Sequence, residues 1–487
     1  MGSEPLDEVA VAIVGAGAGG LALGALLNRA GVHDFAILER SDGVGGTWRA
    51  NRYPGAACDV PSRLYSLSFA PNPAWSRRFS PQPEILAYLE GIADDFGLRD
   101  RIRMNTEVRG ARFDPEAGRW TLALGEGRTL RGRVLVTAVG QLSRPKVPDL
   151  AGLDTFAGTH FHSARWDPDH DLSGRSVGVI GTGASAIQIV PAIADRAERV
   201  TVFQRSPHWI LPRMDRPYTA FEKRLLAAVP PVERALRATE WLSHEVRWFA
   251  FRAEDTWLAA AVRAIIRRSV RRAVADPALR EALIPTDAVG CKRVLLSDDW
   301  FATMVRDDVS LVTDSIEQVR PEGIRTAGGT VHDLDTLIFA TGFHATDLLA
   351  PMAIEGPRGT LDEAWAPGAS AHLGITVPGF PNLFLLYGPN TNLGHNSILF
   401  MLECQAGYVV QCVRRILDRD LGALEVRAEV AARFDAEVQE ALQRSVWAAG
   451  CRSWYKTASG RITVNWPWTT TRYWWRTRRP AWTDFVE

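Results

Sequence analysis

The sequence predicts an α/β protein with two dinucleotide-binding units, on three observations. A short apolar strand, a glycine-rich turn and a helix stand together near the N-terminus. The same succession returns around residues 176–203. A length of 487 residues, 46% hydrophobic and 23% charged, supports a large core and more than one domain. That composition excludes a disordered or collagen-like chain. Lys plus Arg and Asp plus Glu both number 56, giving zero formal charge. A general nucleic-acid binder needs a basic excess to neutralise phosphates, so that class is excluded. Five cysteines (Cys58, Cys291, Cys404, Cys412 and Cys451) are scattered without a C-x-x-C pair. This excludes a disulfide framework and a clustered zinc site, and predicts a reducing, cytoplasmic location.

Residues 9–28 carry no charge and on length alone match a membrane span. Glycines 15, 17, 19, 20 and 24 interrupt the run, however, and Glu4, Asp7 and Glu8 precede it. A signal peptide has a basic start. Leu6 stands where N-myristoylation requires Ser or Thr. The stretch reads instead as a buried strand over 9–14, then Gly15, Gly17 and Gly20 in G-x-G-x-x-G, then a helix. A second strand, 35–38, ends in Glu39, 19 residues beyond Gly20. Glycines let the backbone approach a pyrophosphate at the helix N-terminus, and the acid accepts bonds from ribose hydroxyls.

The second unit has a strand over 176–180, then Gly181, Gly183 and Ala186 in G-x-G-x-x-A, then a helix and a strand over 200–203. Gly15 to Glu39 and Gly181 to Arg205 are both 24 residues. This spacing equates Arg205, flanked by Gln204 and Ser206, with Glu39. A carboxylate suits a free 2′-hydroxyl and a guanidinium suits a 2′-phosphate. The first site therefore reads as FAD or NAD and the second as NADP, which together imply hydride transfer from NADPH to a flavin.

Two more apolar strands, 134–140 and 337–342, end in small residues and glycine, fit for close backbone approach. Pro145, Pro148 and Gly152 suggest a linker. Residues 217–290 lack strand signals and read as helical. Arg263, Arg267, Arg268, Arg271 and Arg272 there are read as the solvated face of an amphipathic helix. The last 41 residues hold seven of 17 tryptophans, expected to wrap the core or line a pocket. His160-x-His162 lacks the carboxylates or cysteines of a metal site.

The segment from Gly45 to Asp59, Gly-Gly-Thr-Trp-Arg-Ala-Asn-Arg-Tyr-Pro-Gly-Ala-Ala-Cys-Asp, resembles a signature of Baeyer–Villiger monooxygenases. So does Phe156-x-Gly158-x-x-x-His162-x-x-x-Trp166-Asp167 between the glycine motifs. Both glycine motifs and the Ala340-Thr341-Gly342-Phe343 element stand in the family's order, so the resemblance spans nearly the whole chain. It implies two Rossmann-like domains with a helical insertion in the NADP domain. FAD-binding parts would occupy 1–143 and 345–487, NADP-binding parts 144–206 and 291–344, and the insertion 207–290. FAD would be held by Gly15, Gly17, Gly20, Glu39, Thr47, Trp48, Asp59, Tyr65 and Val108, with Ile398 near it. NADP would be held by Thr182, Gly183, Ala184, Ser185, Arg205, Ser206 and Lys292. Arg293 matches the family's active-site arginine, and Trp454 a tryptophan that in relatives reaches NADP.

The activity implied is NADPH- and O2-dependent insertion of one oxygen beside a ketone, giving an ester or lactone. An anionic oxidant in a dry pocket needs a fixed cation, and arginine does not lose its proton there. Asp59 would orient Arg293 and keep its charge paired. His162 and Trp166 are expected to couple the domains rather than take part in chemistry. Two alternatives stay open on the residues: a nitrogen- or sulfur-oxygenating flavin monooxygenase, and an NADPH-dependent flavoprotein without oxygenation. The former family usually carries Tyr or Phe where Trp166 stands.

Overall fold

The first apolar run folds as β1 (Asp7–Val14), followed by α1 (Ala18–Arg29) and β2 (Phe35–Leu38), in a computed structural model that describes residues 7–253, 256–451 and 453–487. Glu4 and Leu6 lie outside the described residues. Apolar residues fill both faces of β1, as a central strand requires. It pairs in parallel with β2 on one side and with β3 (Thr129–Thr137) on the other. An antiparallel pair, Val108–Asp114 and Arg119–Leu124, extends this nine-stranded sheet. The chain then leaves it and returns with Ala353–Gly356 and Leu383–Leu385, so both ends of the sequence build the first domain.

The excursion forms a second sheet of five parallel strands. Its members are β4 (Thr159–His162), β5 (Ser176–Ile180), β6 (Arg199–Phe203), β7 (Val309–Val312) and β8 (Thr336–Phe339), in the spatial order β7-β6-β5-β8-β4. The helix α2 (Ala186–Ile193) follows β5. Among the described residues, four longer helices stand between β6 and β7, α3 (Ala220–Ala228), α4 (Pro230–Arg247), α5 (Trp257–Ala273) and α6 (Pro277–Leu283), followed by a one-turn helix at Trp300–Thr303. Ala259, Ile266 and Val270 of α5 bury against the second sheet's core. The long α7 (Ile398–Asp418) lies on α1, and α8 (Thr470–Thr477) lies on α7. Among the described residues no helix is long and apolar enough to cross a membrane, and no three metal-ligating side chains converge.

One expectation changes. The tail tryptophans do not act as one group: Trp447 and Trp466 are buried and Trp454 lines a cleft, but Trp474 and Trp475 on α8 are exposed. His162 closes the edge strand β4. Its Nε2 donates to the carbonyl of Gly342, 3.0 Å away, and its Nδ1 accepts from the Ala164 amide at 3.1 Å. The ring thus holds a single neutral tautomer and ties β4 to the segment that leaves β8.

Burial lowers the pKa of His162, His208, His244 and His372 to about 4 in each case. For His372 the desolvation of the ring is reinforced by the charges of Arg476 and Arg433. An unfolded histidine titrates near 6.5. The unfolded chain therefore takes up protons first as pH falls from about 6.5 to 4, and stability is lost across that window. Thermal melts at pH 7.5, 6 and 5 should show a falling midpoint. A midpoint unchanged to pH 5 would contradict the neutral buried rings.

Candidate active site

Every residue singled out for cofactor or catalysis, except Gly20, lines one cleft of about 2410 Å³ between the two sheets. A single small-ligand site usually occupies about 300–1,000 Å³, so the volume suits two large ligands. In the first arm, Gly15 has φ +105°, and a Cβ there would lie 2.7 Å from the Ala138 carbonyl oxygen. A Cβ on Gly20 would lie 1.9 Å from the Gly15 oxygen, so Gly20 lets the helix close on its own turn. Gly17 differs. Its backbone is extended, and a Cβ would meet only the Gly46 Cα at 3.6 Å. The protein itself does not demand glycine at 17, and the residue leaves room in the cleft.

Glu39 is buried at the end of β2. Its carboxylate accepts from the Ala16 amide at 2.8 Å and from the amide and hydroxyl of Ser41 at 2.9 and 2.7 Å. Thr47 opens a one-turn helix, and Trp48 Nε1 donates to the Tyr65 hydroxyl at 2.9 Å. Burial pushes the Tyr65 phenol up, so it stays protonated. Val108 and Ile398 close the apolar wall.

The second arm repeats the construction with one offset. Gly181 has φ +110°, and a Cβ there would lie 2.6 Å from the Ala340 oxygen. Gly183 has nothing within 4 Å of such a Cβ, so it too leaves room. The amide of Gly15 bonds to Leu38 O, and that of Gly181 to Phe203 O. By this register the counterpart of Glu39 is Gln204, not Arg205. The equal spacing of 24 residues misaligned the units by one, because β6 runs to Phe203, 23 residues beyond Ile180, while Leu38 is 24 beyond Val14. Gln204 is buried and donates to Ala282 O at 2.7 Å, which leaves Arg205 exposed at the rim. Thr182 donates to Ser206 O at 3.1 Å, and Ala184 and Ser185 lead into α2. Lys292 bonds to Ser206 Oγ at 3.1 Å and to Asp287 at 2.5 Å, so its charge already has a partner.

Between the arms, Arg293 Nε and Nη2 both donate to Asp59 Oδ2, at 2.9 and 2.5 Å. The Asp59 charge raises the Arg293 pKa despite burial. Tyr387 and Tyr455 lie within electrostatic reach of Arg293, and burial pushes both phenols up, Tyr455 to about 12. Tyr387 donates to Asn392 Oδ1 at 2.7 Å. Sequence reasoning missed these three residues, and no motif marks them. It also expected only reduced thiols, whereas Cys291 is bonded to Cys451. That bridge ties the Lys292–Arg293 segment to the chain leading into Trp454.

The match to known proteins follows the same layout. Residues 12–220 match the family described as pyridine nucleotide-disulphide oxidoreductases. A Baeyer–Villiger monooxygenase of Streptomyces coelicolor is 45% identical over 97% of this chain and 91% of its own length. The chain belongs to the Baeyer–Villiger monooxygenases. Another member, from Pseudomonas aeruginosa, is 40% identical over 97% of this chain and 91% of its own. An oxidized steroid monooxygenase bound to NADP superposes with a TM-score of 0.88 at 33% identity, covering 98% of this chain and 99% of that one.

The family's signatures have physical roles in this member. Gly55 has φ +81°, and a Cβ would lie 2.5 Å from the Gln188 carbonyl oxygen. Gln188 Nε2 donates to Ala57 O at 3.0 Å, and the Tyr53 hydroxyl donates to Gln188 Oε1 at 3.1 Å. The segment that carries Asp59 is thereby pressed onto α2 of the second domain. The space left at Gly17 and Gly183, above the N-termini of α1 and α2, fits the FAD and NADP(H) of a Baeyer–Villiger monooxygenase.

The glycines separate in a test. Gly17→Val should yield colourless protein whose apo form loses less than about 1 kcal/mol. Gly20→Ala should destabilise the apo fold by about 3 kcal/mol through overpacking. Flavin absorbance and apo-protein melts check both. A yellow Gly17→Val protein contradicts the assignment.

Proposed function

We propose that this monooxygenase uses NADPH and O2 to convert a ketone into an ester or lactone, with FAD in the Glu39 arm, NADP(H) in the Arg205 arm and Arg293 as the catalytic cation. The carrying observation is the Arg293–Asp59 pair inside the one cleft that both arms share. Bound FAD, once reduced, supplies the activation of dioxygen. Arg293 supplies a permanent positive charge for the negative oxygen that such chemistry develops. Asp59 fixes the plane of the guanidinium and balances its charge between turnovers. Tyr387 and Tyr455, held neutral, add hydroxyls without adding charge. Trp454, Lys292 and Ser206 line the same cleft as Arg205, and Arg205 is a cation with no carboxylate partner among the described residues, whereas Lys292 is paired with Asp287. A reaction that draws on NADPH suits the cytoplasm.

Coenzyme choice tests the second arm. A charged hydrogen bond to phosphate contributes about 1.5–3 kcal/mol. Arg205→Ala should weaken NADPH binding about ten- to hundred-fold and leave NADH nearly unaffected. Equal losses with both coenzymes would remove the 2′-phosphate assignment.

Arg293 carries the chemistry. Losing one preorganised donor costs about 100–1,000-fold in the step it serves. Arg293→Ala should still consume NADPH and release hydrogen peroxide, with almost no ester formed from cyclic, linear or aryl ketones. Arg293→Lys keeps charge without the planar fork and should recover only part. Ester formed by Arg293→Ala at the wild-type ratio to NADPH would sink the role.

A further inference from the structure

The Cys291–Cys451 bond joins two segments that meet at the cleft. Cys291 directly precedes Lys292 and Arg293, and Cys451 leads into Ser453, Trp454 and Lys456. Lys292, Arg293, Ser453, Trp454 and Lys456 all line the cleft. Tyr455, buried in the same stretch, acts electrostatically on Arg293. Among the described residues no backbone hydrogen bond joins 287–293 to 449–456. The second stretch bonds within itself instead, Lys456 Nζ donating to the carbonyls of Ala448 and Ala449 at 3.3 and 2.6 Å. The bridge therefore supplies a tie between the two segments that backbone pairing does not.

The two sulfurs differ in access. Cys291 is fully buried, whereas Cys451 is half-buried. A thiolate arriving from solvent reaches Cys451 first, and Cys291 is the leaving group. The remaining cysteines do not compete. Cys58, Cys404 and Cys412 are free, and burial pushes each thiol up, so they stay protonated and poorly reactive. In the reducing compartment proposed for this NADPH-using enzyme, disulfides are transient or redox-sensing rather than structural.

We propose that the Cys291–Cys451 bridge is a redox switch on the cleft, which holds the Arg293 and Trp454 segments together when oxidised and releases them to dithiols. In opening, a dithiol gives up two protons and two electrons and becomes a disulfide, leaving Cys291 and Cys451 as thiols. Hydrogen peroxide closes the bridge again. It converts the Cys451 thiol to a sulfenic acid with release of one water, and the Cys291 thiol then displaces a second water to form the bond. Uncoupled turnover of NADPH with O2 supplies that peroxide.

The effect on product rests on the ketone-oxidising reading above, and the effect on coenzyme binding does not. The FAD-loaded full chain, alkylated after denaturation, should show three thiols after mild hydrogen peroxide and five after dithiothreitol. Reduction should weaken NADP+ binding about tenfold, because the freed segment must be ordered again when coenzyme binds. Ester formed per NADPH should fall, with a matching rise in released hydrogen peroxide. Cys451→Ser should match reduced wild type and ignore dithiothreitol; if that variant does not hold flavin, wild type before and after reduction decides. Five thiols after peroxide, or NADP+ affinity unchanged between the three-thiol and five-thiol forms, overturns the proposal. Weakened NADP+ binding in an enzyme that forms no ester in either state supports the switch and refutes the ketone reading instead.

Discussion

The contact on which the site depends is the ion pair between Arg293 and Asp59, made across 234 residues of chain. Arg293 arrives with the segment that follows the helical excursion, and Asp59 with the segment pressed onto α2 by Gly55. Neither side chain is in place unless both sheets have formed and closed on one another. Leaving a partly buried guanidinium without its carboxylate costs more than the pair contributes, so the pairing also selects the closed arrangement. Two arms that would be separate are thereby made into one cleft.

Close backbone approach is the second constraint, and it separates two uses of glycine. Gly15, Gly20, Gly55 and Gly181 are required by the fold, since a Cβ at each would meet a carbonyl oxygen. Gly17 and Gly183 are not, and the space they leave is space for ligand. The same motif therefore contains residues whose loss unfolds the turn and residues whose loss only fills it.

Much of the fold was legible because it rests on short-range rules. Apolar runs bounded by glycine and helical spacing marked β1, α1, β5 and α2 without reference to distant chain. The match of Arg205 to Glu39 failed because counting residues ignores where a strand ends, and β6 ends one residue early by that count. The expected reduced thiols failed for a related reason, since Cys291 and Cys451 are 160 residues apart and no spacing rule connects them.

The sequence by itself determined two nucleotide-binding units, their order, and the glycines on which their turns close, because backbone sterics and hydrophobic periodicity act within a few residues. Only the tertiary structure decided that Tyr387, Tyr455 and Asn392 join Arg293, that Lys292 is already paired with Asp287, and that α4 turns Arg237, Glu240 and Glu245 inward. Each of these depends on which segments meet in space, and a buried charge or an exposed leucine is defined by its neighbours rather than by its position in the chain.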